Sequence, residues 1–428
     1  MVKHRFVIMR RFFTSERFGR SQYLAAVLLF VFLAQSLWLV NAELQGTSGP
    51  EESEALRIRE GWKQLHRYGI AANPFLKEAA PQETGADDVA DDKSVKVDFS
   101  AFDRQHSPLV YLISAAPLLA WPAKSLTAEW ARVWMWLPRV PFLICGLFLG
   151  ASLWYVARRL CGNTGGLVAL TLYCFSPSMI QASALWHTEP ELIAVWGAFG
   201  TVFTAIAVAH TLYAPREVVL WNWRRIVLLG ISLALAVGMQ FSMIVLVPMA
   251  LVFLLYVAPI RRGSGFVIWL AACAVAAILL FGTYFFHPRV FAESMHHAVF
   301  WGATWRGFAV PTVYRQIAVQ VGRACPAMAL ALPITMVTYV IWPRTRYFGN
   351  TAPLLVAASF LILGMAHPHV AGEGFLLGAV PFLFLFVAGV VADLMETQYR
   401  HLVNACVSGM LAAYALWSLY ALAHVPSG

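Results

Sequence analysis

Two glutamates occupy positions where a carboxylate could act as a general base. Glu54 opens a helix-like stretch, residues 54–69, that follows the first apolar segment, and Glu189 precedes Pro190 between two later apolar segments. A carboxylate within hydrogen-bonding reach of a hydroxyl can take its proton while the oxygen attacks an electrophile. Acids at helix starts are also common for structural reasons, because they complement the positive end of the helix dipole. Both interpretations are open from these residues alone.

A second group of residues carries side chains suited to binding an anion such as a phosphate. His106 begins the sequence His-Ser-Pro-Leu, and Arg289, Arg306 and Arg315 lie in the polar segment 287–325. The histidine is equally suited to a place at the level of membrane headgroups. The cysteines are scattered, and no Cys/His spacing typical of a metal site is visible. The sequence therefore predicts neither a bound metal nor another cofactor.

The composition is that of an integral membrane protein. Of the 428 residues, 60% are hydrophobic and only 12% are charged, and the mean hydropathy is +0.66. A soluble domain is nearer about 45–50% apolar and about 25% charged. The formal net charge of +9 is explained by Lys and Arg retained on the cytoplasmic side of a membrane, and we expect no nucleic-acid partner.

The apolar residues group into about eleven segments, each close to the ~20 residues that a helix needs to cross a bilayer. They cover roughly residues 24–40, 137–157, 165–184, 191–213, 226–241, 243–259, 265–286, 326–342, 351–366, 374–392 and 402–424. This pattern predicts an all-α polytopic membrane protein, with residues 1–428 forming a single membrane domain. The pair of segments within 226–259 must turn near Gly238 to Phe241, so both crossings are short.

The distribution of basic residues predicts the orientation. Several Lys and Arg precede residue 24, which places the N-terminus in the cytoplasm of a multi-pass protein of the cell inner membrane. A cleavable signal peptide ending near Ala42 is the alternative. Alternating crossings then put two long segments outside the cytoplasm. The first, 43–136, is predicted to carry interfacial helices, including the short apolar stretch 108–122, and the second, 287–325, contains amphipathic pieces.

Taken in order, these elements resemble the GT-C-fold glycosyltransferases, above all the protein O-mannosyltransferases and the bacterial lipid A aminoarabinose transferases. In that family the outer loop after the first span carries an acid in a helix that ends in glycine, and a second acid follows later, often before proline. The matching elements here are Glu54 with Gly69, His106-Ser107-Pro108-Leu109, Leu137-Pro138-Arg139, Ala157 to Leu160, Phe175-Ser176-Pro177 and Glu189-Pro190. The likeness covers residues 20–260 well and the remainder only by general architecture.

The resemblance implies an inverting glycosyltransferase that takes a sugar from a polyprenyl-phosphate donor on the extracytoplasmic face. Glu54 would be the general base, and Glu189 would orient the acceptor or the sugar. His106, Arg289, Arg306 and Arg315 would neutralise the departing phosphate. The partners implied are membrane lipid, the lipid-linked sugar and an acceptor, whether glycan, lipid or protein, that the sequence does not identify.

The chain departs from the family pattern at several positions, which keeps a second interpretation open. Both acids are Glu, where relatives usually have Asp at the first position and often at the second, and Gln240 stands where many relatives carry a Lys. The segment 367–373 stands where many relatives carry an Arg-Tyr pair. The alternative is a non-catalytic GT-C-like subunit, or a lipid-binding or flippase protein. An ion-coupled transporter is disfavoured, because the spans contain very few ionisable residues.

Overall fold

The computed structural model is a bundle of α-helices. It describes residues 19–45, 58, 60–65, 103–120, 136–184, 191–213, 223–300, 308–366 and 372–424, and no strand occurs in these ranges. The helices are α1 (Arg20–Gln45), α2 (Pro108–Ala115), α3 (Val140–Cys174), α4 (Pro177–Ala184), α5 (Glu191–Thr211), α6 (Trp223–Met239), α7 (Leu246–Val257), α8 (Arg262–Thr283), α9 (Pro288–His297), α10 (Pro311–Ala324), α11 (Met328–Ile341), α12 (Phe348–Ala366), α13 (Gly372–Met395) and α14 (Arg400–Ala423). Short 3-10 turns at Ala116–Ala120, Leu137–Arg139, Phe241–Val245, Pro259–Arg261 and Pro343–Thr345 join several of them.

Each of the eleven predicted apolar segments coincides with a helix, but fewer helices are long enough to span by themselves. Within the described ranges, seven helical segments are both long and apolar enough to cross a membrane, or eight if the sharply bent pair α10–α11 is one span. The difference arises because α6, α7 and α11 are short and because α3, counted as one span despite its break at Gly162, covers one predicted segment and part of the next. The predicted fold class, an all-α polytopic membrane protein, is confirmed.

The break inside α3 falls where the sequence predicts a turn between two crossings. Gly162 has φ 75° and ψ −176°, which lies outside the helical region and in the range of φ that favours glycine. The helix therefore divides at Gly162 into the two segments that hydropathy separates. The adjoining Arg158 donates from Nε to Oδ1 of Asn163 at 2.7 Å, across the break.

Helix α13 forms the centre of the bundle. Its apolar window is almost entirely buried, whereas those of α8 and α14 are mostly exposed at the periphery. Phe382 of α13 stacks near Phe199 of α5 at 5.5 Å and Phe360 of α12 at 5.9 Å between ring centroids. A helix that is hydrophobic on every side can be buried on every side, and the sequence of α13 has this character.

Two hydrogen bonds join helix ends that the charge pattern assigns to the same compartment. Two ends predicted to lie outside the cytoplasm meet where Ser176 Oγ donates to the carbonyl of Ala324 at 2.6 Å. Two ends predicted to lie in the cytoplasm meet where Asn350 Nδ2 donates to Asp393 at 2.8 Å. The alternating path, and the compartment that each pair of ends faces, stay predictions.

Candidate functional site

Three separate parts of the chain converge beside α2 in what we call the outer junction, formed by residues 103–107, 238–241 and 299. The backbone N–H of Phe241 donates to the carbonyl of Gln105 at 2.8 Å, and that of Val299 donates to the carbonyl of Arg104 at 2.7 Å. Ser107 donates to the carbonyl of Gly238 from both its backbone nitrogen, at 3.0 Å, and its Oγ, at 2.6 Å. The first outer loop is therefore attached to the turn between α6 and α7 and to the end of α9.

Ser107 and Pro108 explain why the chain changes from loop to helix at the junction. Ser107 is the N-cap of α2, with extended backbone angles, and its Oγ accepts from the N–H of Leu109 at 3.2 Å. Pro108 occupies the first turn, where its missing N–H costs no helical hydrogen bond. The same hydroxyl donates to Gly238, so a single fully buried serine both begins the helix and joins it to α6.

The carboxylate of Asp103 is surrounded by hydrogen-bond donors. Its Oδ1 accepts from the backbone N–H groups of Gln105, at 2.8 Å, and His106, at 3.3 Å. Its Oδ2 accepts from the hydroxyl of Tyr111 at 2.8 Å and lies 2.6 Å from Nδ1 of His106. His106 is itself buried, with 8% of its surface exposed. The four residues form a compact polar cluster within the junction.

These contacts keep Asp103 ionised. Burial raises the pKa of its carboxyl, but the hydrogen bond and charge of His106, the N–H of Gln105 and the hydroxyl of Tyr111 together lower it to about 2. Asp103 is therefore an anion at any physiological pH.

The helical residues 60–65 of the first outer loop pack directly on α2. Ile58, Trp62 and Leu65 are buried, and Gly61 lies so close to α2 that a Cβ there would stand 2.2 Å from the carbonyl oxygen of Tyr111. Tyr111 is the residue whose hydroxyl donates to Asp103. Residues 60–65 and the cluster around His106 thus belong to one packed unit.

No protein-family model matches the chain, and no curated protein sequence matches it. Solved structures do. The archaeal oligosaccharyltransferase AglB from Archaeoglobus fulgidus, in complex with an inhibitory peptide and a dolichol-phosphate, is similar over 95% of this chain and 56% of its own, with a TM-score of 0.53 and 13% identity. Its form tethered to an acceptor peptide containing the NVT sequon covers 94% and 55%, with a TM-score of 0.53 and 12% identity.

The chain has the GT-C fold. AglB is a membrane glycosyltransferase of that fold, and the apo form of the same protein gives a TM-score of 0.52 at 13% identity. The present chain spans about half the length of these structures. The likeness supports neither of the particular relatives that the sequence suggested, the protein O-mannosyltransferases and the aminoarabinose transferases, over other members of the fold.

On this GT-C scaffold the predicted site residues have different surroundings. His106 lies within the outer junction, whereas Arg289, on α9, and Arg315, on α10, are exposed. Helix α2 packs against α6 and α8, while α10 packs against α4, α12 and α13, so His106 and Arg315 belong to different helix groups. Glu54, Glu189 and Arg306 lie outside the described residues, and their convergence with His106 stays a prediction.

Sequence reasoning missed two residues of this region. Asp103 contacts the ring of His106, and Tyr111 donates to the same carboxylate of Asp103. Arg139 appeared in the sequence only as part of a motif, and its burial in the turn that leads into α3 was not predicted, because arginine is usually found on the outside. The available signal was the Asp-x-x-His spacing directly before the helix-starting Ser-Pro pair. A carboxylate three residues before a histidine contacts it only if the backbone turns between the two residues. The sequence alone does not predict this turn.

In the turn between α6 and α7, two buried side-chain oxygens have no hydrogen-bond partner among the described residues. These atoms are Oε1 of Gln240 and Oγ of Ser242. No three His, Cys, Asp or Glu side chains in the described ranges are close enough to hold a metal ion. Because both predicted acids lie outside those ranges, the absence of a metal stays a prediction.

Proposed function

We propose that the protein is a membrane glycosyltransferase that moves a sugar from a polyprenyl-phosphate carrier to an acceptor on the extracytoplasmic face. The observation that carries this proposal is the fold shared over 95% of the chain with an oligosaccharyltransferase whose structure contains a dolichol-phosphate. A lipid-linked substrate also accounts for the membrane bundle, because the isoprenoid tail stays in the hydrocarbon while its phosphate meets polar groups at the edge.

The chemistry follows from the bond that breaks. The carbon–oxygen bond between the sugar and the lipid phosphate breaks, and the phosphate leaves as a stable anion that needs no strong acid. The acceptor oxygen attacks the anomeric carbon from the opposite side, which inverts the configuration there. Glu54 takes the acceptor proton, and Glu189 orients the acceptor or the sugar. His106, Arg289, Arg306 and Arg315 are the candidate cations for the phosphate.

The described packing supports this assignment through the first outer loop. Residues 60–65 dock on α2 through Gly61, and α2 begins at the junction that contains His106. The helical stretch following the proposed base and the proposed phosphate ligand are thus parts of the same packed unit. The base and the phosphate ligand must act on the same substrate molecule. The packing of residues 60–65 on α2 supports such an arrangement, because it connects the two parts of the chain that carry them.

The test is Glu54→Gln, which keeps the side-chain volume and removes the basic carboxylate. We expect sugar transfer from labelled polyprenyl-phosphate hexoses or pentoses to fall by at least about 100-fold, the size of a typical general-base contribution. Glu60→Gln is the matched control. Glu60 is in the same loop, is partly exposed and pairs with Lys63 at 3.5 Å, so its loss should leave the rate unchanged.

Two results would count against the proposal in different ways. A Glu54→Gln protein that transfers sugar at the parental rate would show that Glu54 is not the base. If the parent transfers no sugar from any such donor and still binds polyprenyl phosphate, the protein is the non-catalytic lipid-binding subunit instead.

A further inference from the structure

The hydrogen bonds around Asp103 define the state of the His106 ring. An ionised carboxylate only accepts hydrogen bonds, so Nδ1 of His106, 2.6 Å from Oδ2, must carry the proton and donate it to that contact. Nε2, on the far side of the ring, has no hydrogen-bond partner within the described part of the chain. One ring nitrogen is thus committed to Asp103, and the other is available to a ligand.

We propose that Asp103 is a positioning residue which, together with Tyr111, holds His106 so that its Nε2–H binds the phosphate of a lipid carrier. This inference rests on the proposed function, since the anion is taken to be the phosphate of the sugar donor. His106 is the residue that touches the phosphate, and Asp103 acts only through it.

The arrangement suits an anionic ligand because of the hydrogen bonds that the ring can make. When both ring nitrogens carry a proton, their N–H groups donate in opposite directions, one to the carboxylate of Asp103 and the other to the phosphate. The hydroxyl of Tyr111 donates to the same oxygen as Nδ1, which fixes the carboxylate and prevents it from turning away. Among the residues that the structure describes, Tyr284 at the end of α8 is bonded to Ser294 at 2.7 Å and does not compete for Nδ1.

The contact between the Asp103 and His106 side chains is not needed to hold the loop in place. The loop is already fixed by the bonds from Phe241 to Gln105, from Val299 to Arg104 and from Ser107 to Gly238. Loss of this side-chain contact should therefore change the orientation of the His106 ring while the loop stays attached. This separation makes the proposal testable by binding measurements alone.

The experiment measures equilibrium binding of labelled farnesyl phosphate to the full chain in phosphatidylcholine nanodiscs. Farnesol, with the same tail and no phosphate, and inorganic phosphate, with no tail, are the comparison ligands. We expect His106→Gln and Asp103→Asn each to weaken farnesyl phosphate binding about tenfold, as the loss of one charge-assisted hydrogen bond predicts. Farnesol binding should not change, and inorganic phosphate should bind far more weakly than farnesyl phosphate to the parent.

The matched control is Glu293→Gln. Glu293 is a partly buried acid on α9, the helix that precedes Val299, so the variant makes the same change in charge near the junction without touching the His106 ring. We expect its affinity for farnesyl phosphate to equal that of the parent.

A double-mutant cycle separates positioning from a general structural role. If Asp103 acts through His106, the variant Asp103→Asn/His106→Gln should bind farnesyl phosphate no more weakly than His106→Gln alone. Additive losses, parental binding by Asp103→Asn, or an equal loss for farnesol would each overturn the proposal. Farnesyl phosphate and inorganic phosphate binding equally well would overturn the assignment to a lipid carrier.

Asp103 also accepts two backbone N–H groups, so thermal unfolding of Asp103→Asn is measured in parallel. If that variant does not fold, Tyr111→Phe replaces it. Because this change removes one donor to Oδ2, we expect a two- to threefold loss of farnesyl phosphate affinity, which corresponds to about 0.5 kcal/mol. Unchanged affinity in Tyr111→Phe would contradict the proposal. These binding measurements need no sugar transfer. They can therefore support the role of Asp103 even if Glu54→Gln shows that Glu54 is not the base, and they can contradict it even if Glu54 is the base.

Discussion

At the scale of single residues, Gly61 determines how closely the first outer loop approaches the bundle. A Cβ at this position would lie 2.2 Å from the carbonyl oxygen of Tyr111 and 2.8 Å from Cβ of Ala115, and a backbone atom cannot move aside as a flexible side chain can. Any larger residue must therefore lift residues 60–65 away from α2. Because Tyr111 donates to Asp103, the displacement would also reach the cluster around His106.

We predict that Gly61→Ala lowers the free energy of unfolding by about 1–3 kcal/mol, the usual cost of overpacking a close contact. Thermal unfolding in detergent, with hydrogen exchange over residues 58–65, would measure it. Gly409→Ala in α14 is the control, since a Cβ there meets nothing within 4 Å. Equal behaviour of the two variants would show that residues 60–65 do not dock on α2.

The sequence pointed to His106 but not to its partners. The histidine stands out because it begins a motif at a helix start, whereas Asp103 is one of many acids in a long polar loop. Its role depends on a turn that brings residue 103 back over residue 106, and on bonds to residues 238–241 and 299 that are far away in sequence. Hydropathy and motif spacing carry no information about such long-range backbone contacts.

At the scale of elements, α6 carries the junction and is positioned by its packing on α5. Gly197 of α5 faces α6 so closely that a Cβ would stand 2.5 Å from the backbone nitrogen of Ala236 and 2.8 Å from the carbonyl oxygen of Ser232. Small residues at such contacts allow helices in a membrane to approach each other's backbones. The position of Gly238, and with it Ser107, therefore depends on this helix contact.

We predict that Gly197→Ala lowers the free energy of unfolding by about 1–3 kcal/mol and also weakens farnesyl phosphate binding, because α6 is pushed outward. Gly263→Ala in α8, where a Cβ meets nothing within 4 Å, should change neither quantity. The measurements are thermal unfolding in detergent and ligand binding in nanodiscs. Loss of stability with unchanged binding would mean that the junction does not depend on α6.

The existence of the elements could be predicted from hydropathy, but their geometry could not. All eleven apolar segments are helical, and the turn near Gly238 to Phe241 was expected because two crossings had to fit within residues 226–259. The bend of 109° between α10 and α11 was not expected, since the hydropathy of α11 does not show that α10 turns away from it. Periodicity identifies a helix, whereas the angle between two helices is decided by what each packs against.

At the scale of the whole molecule, hydrogen bonds join helix ends that are far apart in sequence. Residues 103–107 are joined to 238–241 and 299, Ser176 is joined to Ala324, and Asn350 is joined to Asp393. Labelling one end of each group would therefore report on its bonded partners as well. The distribution of basic residues predicts that the junction faces away from the cytoplasm.

We predict that a cysteine replacing Ser100 reacts with an impermeant maleimide in spheroplasts, whereas one replacing Ser264 reacts only after the membrane is permeabilised. The native cysteines are first replaced, so that exposed Cys406 does not contribute. Ser264 is a suitable reporter because it is exposed at the start of α8, at the opposite end of that helix from Tyr284 and the junction. The reverse labelling pattern would place His106 and Asp103 in the cytoplasm. A site there could not deliver a sugar to an acceptor outside the cell, so the proposed reaction would be wrong even if the fold is right.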